Sequence, residues 1–526
     1  MLFSLSKIKA NWKSGLTVAL VSIPLSISLA VASGVSPVAG IITAIWASFI
    51  GASFGSSNYN IIGPTGALSG IIASYALLHG PQNVPMLAIL SGIFILLAYF
   101  LRIERYLIFI PSSVIHGFTL GVACIIALNQ LNFVLGLQNL PKHETLIENL
   151  LESFKHIKES SWPALAIFIL FFLILLLLRR AISSIPGIII ISPLCIALGY
   201  VETKGLLPFS LETLGSKFGM IEPHLIQFSK FTFNTSFIVP AGVVAFVAII
   251  ESILSAKIAD VMTKTKHVTS KEIFGLGIAN IIAGLAGGMP ATAALARTSL
   301  NIKTGATSKA SAILSSIFIA FASFLFLSYF SFMPMACIAS VLVYVALSMI
   351  EREHFYRLFY QDKNSFIIAI VVALITIGID PIIGILVGVV MALLFLVNKL
   401  AQSFSETVVY EGNIKTDSID AQKKSILIYT FRGKLVYFNS PAHLLQFQSD
   451  FSQYDAIILV LTELYFIDLD GVDTLEEIIE LIQKRHQQVV MVVSQKFIKT
   501  MLQNSKKFKE LKDKNLIFDS LNSALQ

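Results

Sequence analysis

Glu251 lies well inside an apolar run, VVAFVAIIESILSAKIAD, and Ser255 follows four residues later, on the same face of a helix formed there. An ionisable group at such depth is costly, so it stands out as a functional candidate. A carboxylate and a hydroxyl so spaced offer oxygens to Na⁺, or the carboxyl alone can carry a proton where burial favours its neutral form. The plainer alternative is a buried acid paired with an arginine or with backbone. Arg297 is the second such charge, in GGMPATAALARTSL. Its guanidinium suits binding of an oxyanion, a positive field beside one, or snorkelling to the interface. Lys257 and Asp260 read as interfacial anchors. His116, in PSSVIHGFTLG, is either a pH-sensitive group or a hydrogen-bonded packing residue.

Two stretches could position these groups. Asn60-Ile61-Ile62-Gly63-Pro64-Thr65-Gly66-Ala67-Leu68 and Gly287-Gly288-Met289-Pro290-Ala291-Thr292-Ala293-Ala294-Leu295 each run through small, extended residues into a proline, which suits the first turn of a short helix. Gly/Pro-interrupted segments at matching places in two halves point to a substrate site, because two half-helix N-termini can meet near the membrane midplane. Their unpaired N–H groups and positive dipole ends favour an anion. The alternative is that glycine and proline are simply frequent in membrane helices.

The frame that must carry them is apolar. Of 526 residues, 55% are hydrophobic and 13% charged, with a mean hydropathy of +0.79; a soluble domain carries roughly 25% charge. Residues 1–404 hold 24 Lys+Arg and 15 Asp+Glu, and residues 405–526 hold 14 and 16, so the net +7 divides into +9 and −2. The polar part is slightly acidic, which gives no support to a nucleic-acid binder. Cys124, Cys195 and Cys337 lie in apolar runs without metal or disulfide spacing and read as packing residues.

Apolar stretches predict fourteen spans, seven over about 15–201 and seven over about 236–400. With the N-terminus inside, this count places sixteen basic residues on the cytoplasmic side and six in the two longest loops of the other side. Residues 405–526 are then cytoplasmic. From residue 425, β-rich runs (SILIYTF, AIILVL, QVVMVV) alternate with helical ones (SPAHLLQFQSDF, DGVDTLEEIIELIQKRH, KFIKTMLQ), an α/β pattern. No constellation for catalysis appears, so neither an enzyme nor a cofactor is expected.

GLTVALVSIPLSISLAVASGVSPVAG, FGSSNYNIIGPTGALSG, PSSVIHGF, ESILSAKIADVMTKTKH and GLGIANIIAGLAGGMPATAALARTSLNIKTGA, in this order, resemble the SulP family of sulfate permeases and related anion transporters. The end of the chain, around IDLDGVDTLEEI, looks like a STAS domain. The resemblance implies an α-helical polytopic membrane protein of fourteen spans in a 7+7 inverted repeat, with core and gate domains and a cytoplasmic α/β STAS domain. It implies transport by alternating access in the cell (inner) membrane, with an anion held by Thr65, Gly66, Ala67, Ala296, Arg297 and Thr298. Ser26 and Ser28, on a proline-broken first span, would lie nearby. Glu251 and Ser255 fall where sodium-coupled bicarbonate transporters of the family resemble an Asp plus Thr site. Here Glu is one methylene longer and Ser lacks a methyl, which leaves Na⁺ and H⁺ coupling both open. In the bacterial anti-sigma antagonists the residue before the STAS turn glycine is a phosphorylated Ser; here it is Asp470, so that switch is not expected.

The expected function is therefore secondary active transport of a small oxyanion, bicarbonate or sulfate, by a homodimer in lipid. A dicarboxylate or other organic anion is the nearest alternative. From another class, the chain would be a membrane-anchored scaffold or sensor whose STAS domain recruits a cytosolic partner.

Overall fold

A computed structural model describes residues 5–105, 111–138, 140–141, 143, 146–181, 186–227, 234–379, 381–401, 404–411, 414–416, 425–449, 451 and 453–525. The chain forms two compact units, Met1–Val390 and Met391–Gln526.

Apolar surroundings oblige every backbone group to find its partner internally, and the first unit is accordingly built of helices. They include α1 (Leu5–Ala32), α2 (Pro37–Phe54), α3 (Gly66–His79), α4 (Val84–Phe100), α5 (Ser112–Leu128), α6 (Trp162–Ala181), α7 (Gly187–Thr203), α8 (Ile238–Thr263), α9 (Thr269–Leu285), α10 (Leu295–Lys303), α11 (Ala310–Phe326), α12 (Met335–Met349), α13 (Arg352–Gln361), α14 (Lys363–Gly378) and α15 (Pro381–Ala401). Among the described residues eight helical segments are long and apolar enough to cross a membrane, and four shorter apolar helices accompany them. Small residues let backbones approach: a Cβ on Gly92 of α4 would stand 2.7 Å from the Gly277 carbonyl oxygen of α9.

Two expectations are corrected here. Pro24 lies inside the continuous helix α1 rather than at a break; proline removes one backbone hydrogen bond, and the buried surroundings hold the remaining turns. Nor does either proline of the matched stretches open a helix. Pro64 precedes the N-cap Thr65 of α3, and Pro290 lies five residues before α10 begins. The reason is a two-stranded ladder: β1 (Ile62–Gly63) pairs antiparallel with β2 (Thr292–Ala293), Ile62 opposite Ala293 and Gly63 opposite Thr292. Both chains stay extended until that pairing ends.

The second unit contains β3 (Phe404–Glu411), β4 (Ile414–Thr416), β5 (Ser425–Leu435), β6 (Ala456–Val460), β7 (Leu464–Ile467), β8 (Gln488–Val492) and β9 (Ile517–Phe518), with α16 (Ser440–Ser449), α17 (Leu469–Lys484), α18 (Lys496–Leu502), α19 (Lys506–Asp513) and α20 (Leu521–Leu525). The sheet runs β4-β3-β5-β6-β8-β9, with β7 also on β5; β5, β6, β8 and β9 are parallel, and β3 is antiparallel to β5. The β-rich and helical runs of the sequence become β5, β6, β8, α16, α17 and α18, whereas β3 lies outside that expectation. Asp468 caps α17, accepting the Gly471 N–H at 2.8 Å, and a Cβ on Gly471 would meet the Leu435 carbonyl oxygen at 2.4 Å.

His443 is buried in this unit, with Nδ1 2.7 Å from the Tyr429 hydroxyl. Burial lowers its pKa from 6.5 to about 4. The unfolded chain therefore takes up a proton below pH 6.5 that the folded chain refuses until about pH 4. Stability is fully present above pH 6.5 and falls as the pH drops through that window, by about 2 kcal/mol at pH 5. Denaturant titrations of this unit's unfolding at pH 7 and pH 5 check this, and His443→Asn should flatten the difference.

Candidate anion and coupling site

The ladder between β1 and β2 brings the starts of α3 and α10 together. Ala294 N–H donates to the Ile61 carbonyl at 3.1 Å, and Ile61 N–H donates to Thr298 Oγ1 at 3.2 Å. Around it, Asn280 grips Ala291 from both sides, accepting its N–H at 2.8 Å and donating to its carbonyl at 2.9 Å. Ser252 Oγ lies 2.8 Å from Thr292 Oγ1 and accepts the Ala293 N–H at 3.0 Å. The two half-helices are thus joined by hydrogen bonds, not only by apolar packing.

Arg297 is the third residue of α10, in its first turn. A cation there opposes the helix dipole. Its buried guanidinium crosses to the other stretch, donating from Nη2 to the Pro64 carbonyl, and a Cβ on Gly63 would stand 2.8 Å from Nη1. Gly63 is therefore the residue that leaves room for it. Among the described residues the Pro64 carbonyl is the guanidinium's one hydrogen-bond acceptor, so further N–H groups remain for a ligand.

Glu251, in the middle of α8, is half-buried and accepts the Thr65 hydroxyl at 3.0 Å. Thr65 is the N-cap of α3, and its side chain serves Glu251 instead of capping its own helix. The N–H groups of Gly66 and Ala67 follow directly, in the turn where helical N–H groups lack intrahelical partners. Ser255 does not turn toward Glu251: its Oγ lies 3.0 Å from both Asn60 Oδ1 and Thr298 Oγ1. A Cβ on Gly66 would meet Ile126 at 2.7 Å and the Met349 sulfur at 3.0 Å, so α5 and α12 closely cover the start of α3.

Ser26 and Ser28 are fully buried in α1, and among the described residues neither hydroxyl has a hydrogen-bond partner. Ala67 is buried and Ala296 exposed. A cavity of about 510 Å³ borders Gly34, Ser74, Asn129, Gln130 and Thr376, reaching the C-terminal half of α3 rather than its start.

Glu272 supports the whole arrangement. In the first turn of α9 and 2% exposed, it accepts Ser56 N–H at 2.7 Å, Ser57 N–H at 2.8 Å and Asn60 Nδ2 at 2.7 Å, anchoring the segment that leads into β1. The spacing Thr269-Ser270-Lys271-Glu272, a serine or threonine three residues before an acid, is the sequence signal that could have marked it. Glu272→Ala strands two buried donors and one half-buried donor and should cost about 3 kcal/mol. Glu272→Gln, which keeps an acceptor oxygen, should cost less; melting temperatures of the two variants in detergent check the order.

A model of the sulfate permease family matches residues 8–372, the helical unit whose extended segments meet at the hydrogen-bonded crossing. The chain belongs to that family, and residues 419–524 match the STAS domain. It is 32% identical over 500 residues to the "Putative sulfate transporter YvdB" of Bacillus subtilis, covering 93% of this chain and 92% of that one. It is 24% identical over 538 residues to the bicarbonate transporter BicA of Picosynechococcus, covering 96% and 92%. Among solved structures, the murine Solute Carrier 26 family member A9 anion transporter in the inward-facing state superposes with a TM-score of 0.83 at 15% identity, over 99% of this chain and 92% of that one. The protein is thus a multi-pass membrane member of an anion transporter family, not an enzyme.

Proposed function

We propose that this protein is a secondary active transporter of a small inorganic oxyanion, bicarbonate or sulfate, working by alternating access. The observation that carries the proposal is the β1–β2 crossing, which sets the N–H groups at the starts of α3 and α10 beside Arg297 and one hydroxyl away from Glu251. The anion is held by N–H groups of Gly66, Ala67, Ala296 and Arg297 and by the Arg297 side chain, with Thr65 and Thr298 shaping the site and Ser26 and Ser28 offering spare hydroxyls. Glu251 takes the coupling ion, H⁺ on its carboxyl or Na⁺ shared with oxygens around it. The longer Glu side chain and the engagement of Ser255 with Asn60 and Thr298 favour H⁺.

In this reading residues 1–404 form fourteen spans in a 7+7 inverted repeat, with core and gate moving past each other, in the inner membrane of the cell with both termini cytoplasmic. Residues 405–526 form the STAS domain, and the working unit is a homodimer. The names of the relatives, sulfate and bicarbonate transporters, support the substrate class. Uptake of labelled bicarbonate, sulfate and succinate into proteoliposomes, with and without Na⁺ and a pH gradient, tests it. Gradient-dependent uptake of one of the two inorganic anions is expected; preference for succinate, or no flux of any of the three by folded protein, overturns it.

A further inference from the structure

Away from the anion site, His116 near the start of α5 meets Glu351 and His354 at the start of α13. One ligand atom from each lies within 4.8 Å of the others. His116 Nδ1 stands 3.7 Å from Glu351 Oε2, and the two imidazoles stack with centroids 3.7 Å apart and planes 30° from parallel. Glu351 is the N-cap of α13, yet its carboxylate makes no capping hydrogen bond and turns to His116 instead. Among the described residues, His354 Nε2 is buried with no hydrogen-bond partner. A buried polar nitrogen left so is expensive and calls for an occupant.

We infer that His116, Glu351 and His354 form a binding site for a divalent transition metal of the Zn²⁺ type. Two imidazoles and one carboxylate are a zinc ligand set with a fourth position open to water. Glu351 at the N-cap and His354 in the first turn of α13 supply two ligands, and His116 supplies the third from a separate element. Tetrahedral coordination at about 2.0–2.1 Å from each ligand atom requires those atoms to draw closer than they stand, and the stacked rings to splay around the ion. Arg357 sets an opposing positive field on both histidines. That field weakens the binding of any cation, while the two imidazole nitrogens select against Mg²⁺ and Ca²⁺, which prefer oxygen, and favour the ions that bind nitrogen strongly. Because α5 also packs on α12 and α14, a bound ion clips the start of α5 to the turn between α12 and α13.

The test uses the full chain in detergent with any purification tag removed. Zn²⁺ content after gel filtration and calorimetric titration should give one ion per chain beyond that of the His116→Ala and His354→Ala variants, which should bind it about 100-fold more weakly or not at all. Co²⁺ should give the visible bands of a tetrahedral nitrogen–oxygen site, absent from both variants. His354→Gln guards against a folding defect, and Arg357→Ala should tighten binding. Equal Zn²⁺ stoichiometry and affinity in wild type, His116→Ala and His354→Gln, each monodisperse and with the same metal-free melting temperature, overturns the site. So does displacement of Zn²⁺ by Mg²⁺ at equal concentration. None of these readouts depends on transport.

Discussion

Replacing Glu251 with Gln is expected to abolish ion-driven anion uptake in proteoliposomes while leaving the protein folded. Glutamine matches glutamate in shape, and its carbonyl oxygen can still accept the Thr65 hydroxyl that now reaches Oε2 at 3.0 Å. What it loses is the capacity to exchange charge for neutrality. That exchange is felt at the anion site, because Thr65 is the N-cap of α3 and the N–H groups next to it are the proposed anion donors. Loading the carboxylate with H⁺ or Na⁺ removes a negative charge from beside the anion, and that repulsion is strong where water is scarce. Loss of gradient-dependent uptake, with a melting temperature in detergent unchanged from wild type, is the predicted pair of results. Uptake that keeps its full response to Na⁺ or pH would remove Glu251 from the coupling step.

Arg297→Ala should weaken anion binding by about 10- to 100-fold, the loss expected when a charge-assisted hydrogen bond of 1.5–3 kcal/mol disappears. Arg297→Lys should cost less, because it keeps the positive charge but not the planar fork. The geometry makes the two distinguishable. The guanidinium already spends one N–H on the Pro64 carbonyl and has others to offer, whereas a lysine ammonium that reached the same carbonyl would be held there as a point charge. A cation in the first turn of α10 weakens its own helix, so alanine should not unfold that segment. Calorimetric affinities for sulfate and bicarbonate check the order, and equal affinities for wild type and both variants would refute a role for this side chain in binding.

Much of the proposed site was legible in the residues. The charge inside the spans singled out Glu251 and Arg297, and the Gly/Pro stretches pointed to the beginnings of α3 and α10. Both prolines suit the first turn of a helix, yet the ladder that aligns Gly63 with Thr292 keeps each chain extended there. Proline is a local signal for a helix start, and it lost here to a pairing between segments some 230 residues apart in the chain. Ser255 was placed on the correct helix with the wrong partners for the same reason: Asn60 and Thr298 belong to the two crossing stretches. The role of Glu272 appears only in its contacts with Ser56, Ser57 and Asn60, more than 200 residues away in the chain. His116 stood alone in the sequence and acquired Glu351 and His354 only in three dimensions.

By itself, the sequence determined the solvent. Low charge and long apolar runs demanded a helical membrane unit, the β-rich runs from residue 425 demanded an α/β unit, and the ordered motifs determined the family. Only the tertiary structure decided which polar atoms meet. Apolar periodicity records how each segment faces its surroundings, since that is a property of neighbouring residues in the chain. The bonds from Thr65 to Glu251, from Arg297 to Pro64 and from Glu272 to Asn60 span 186, 233 and 212 residues. In a bilayer each such polar group must find a partner somewhere, and the sequence states the need without stating the address.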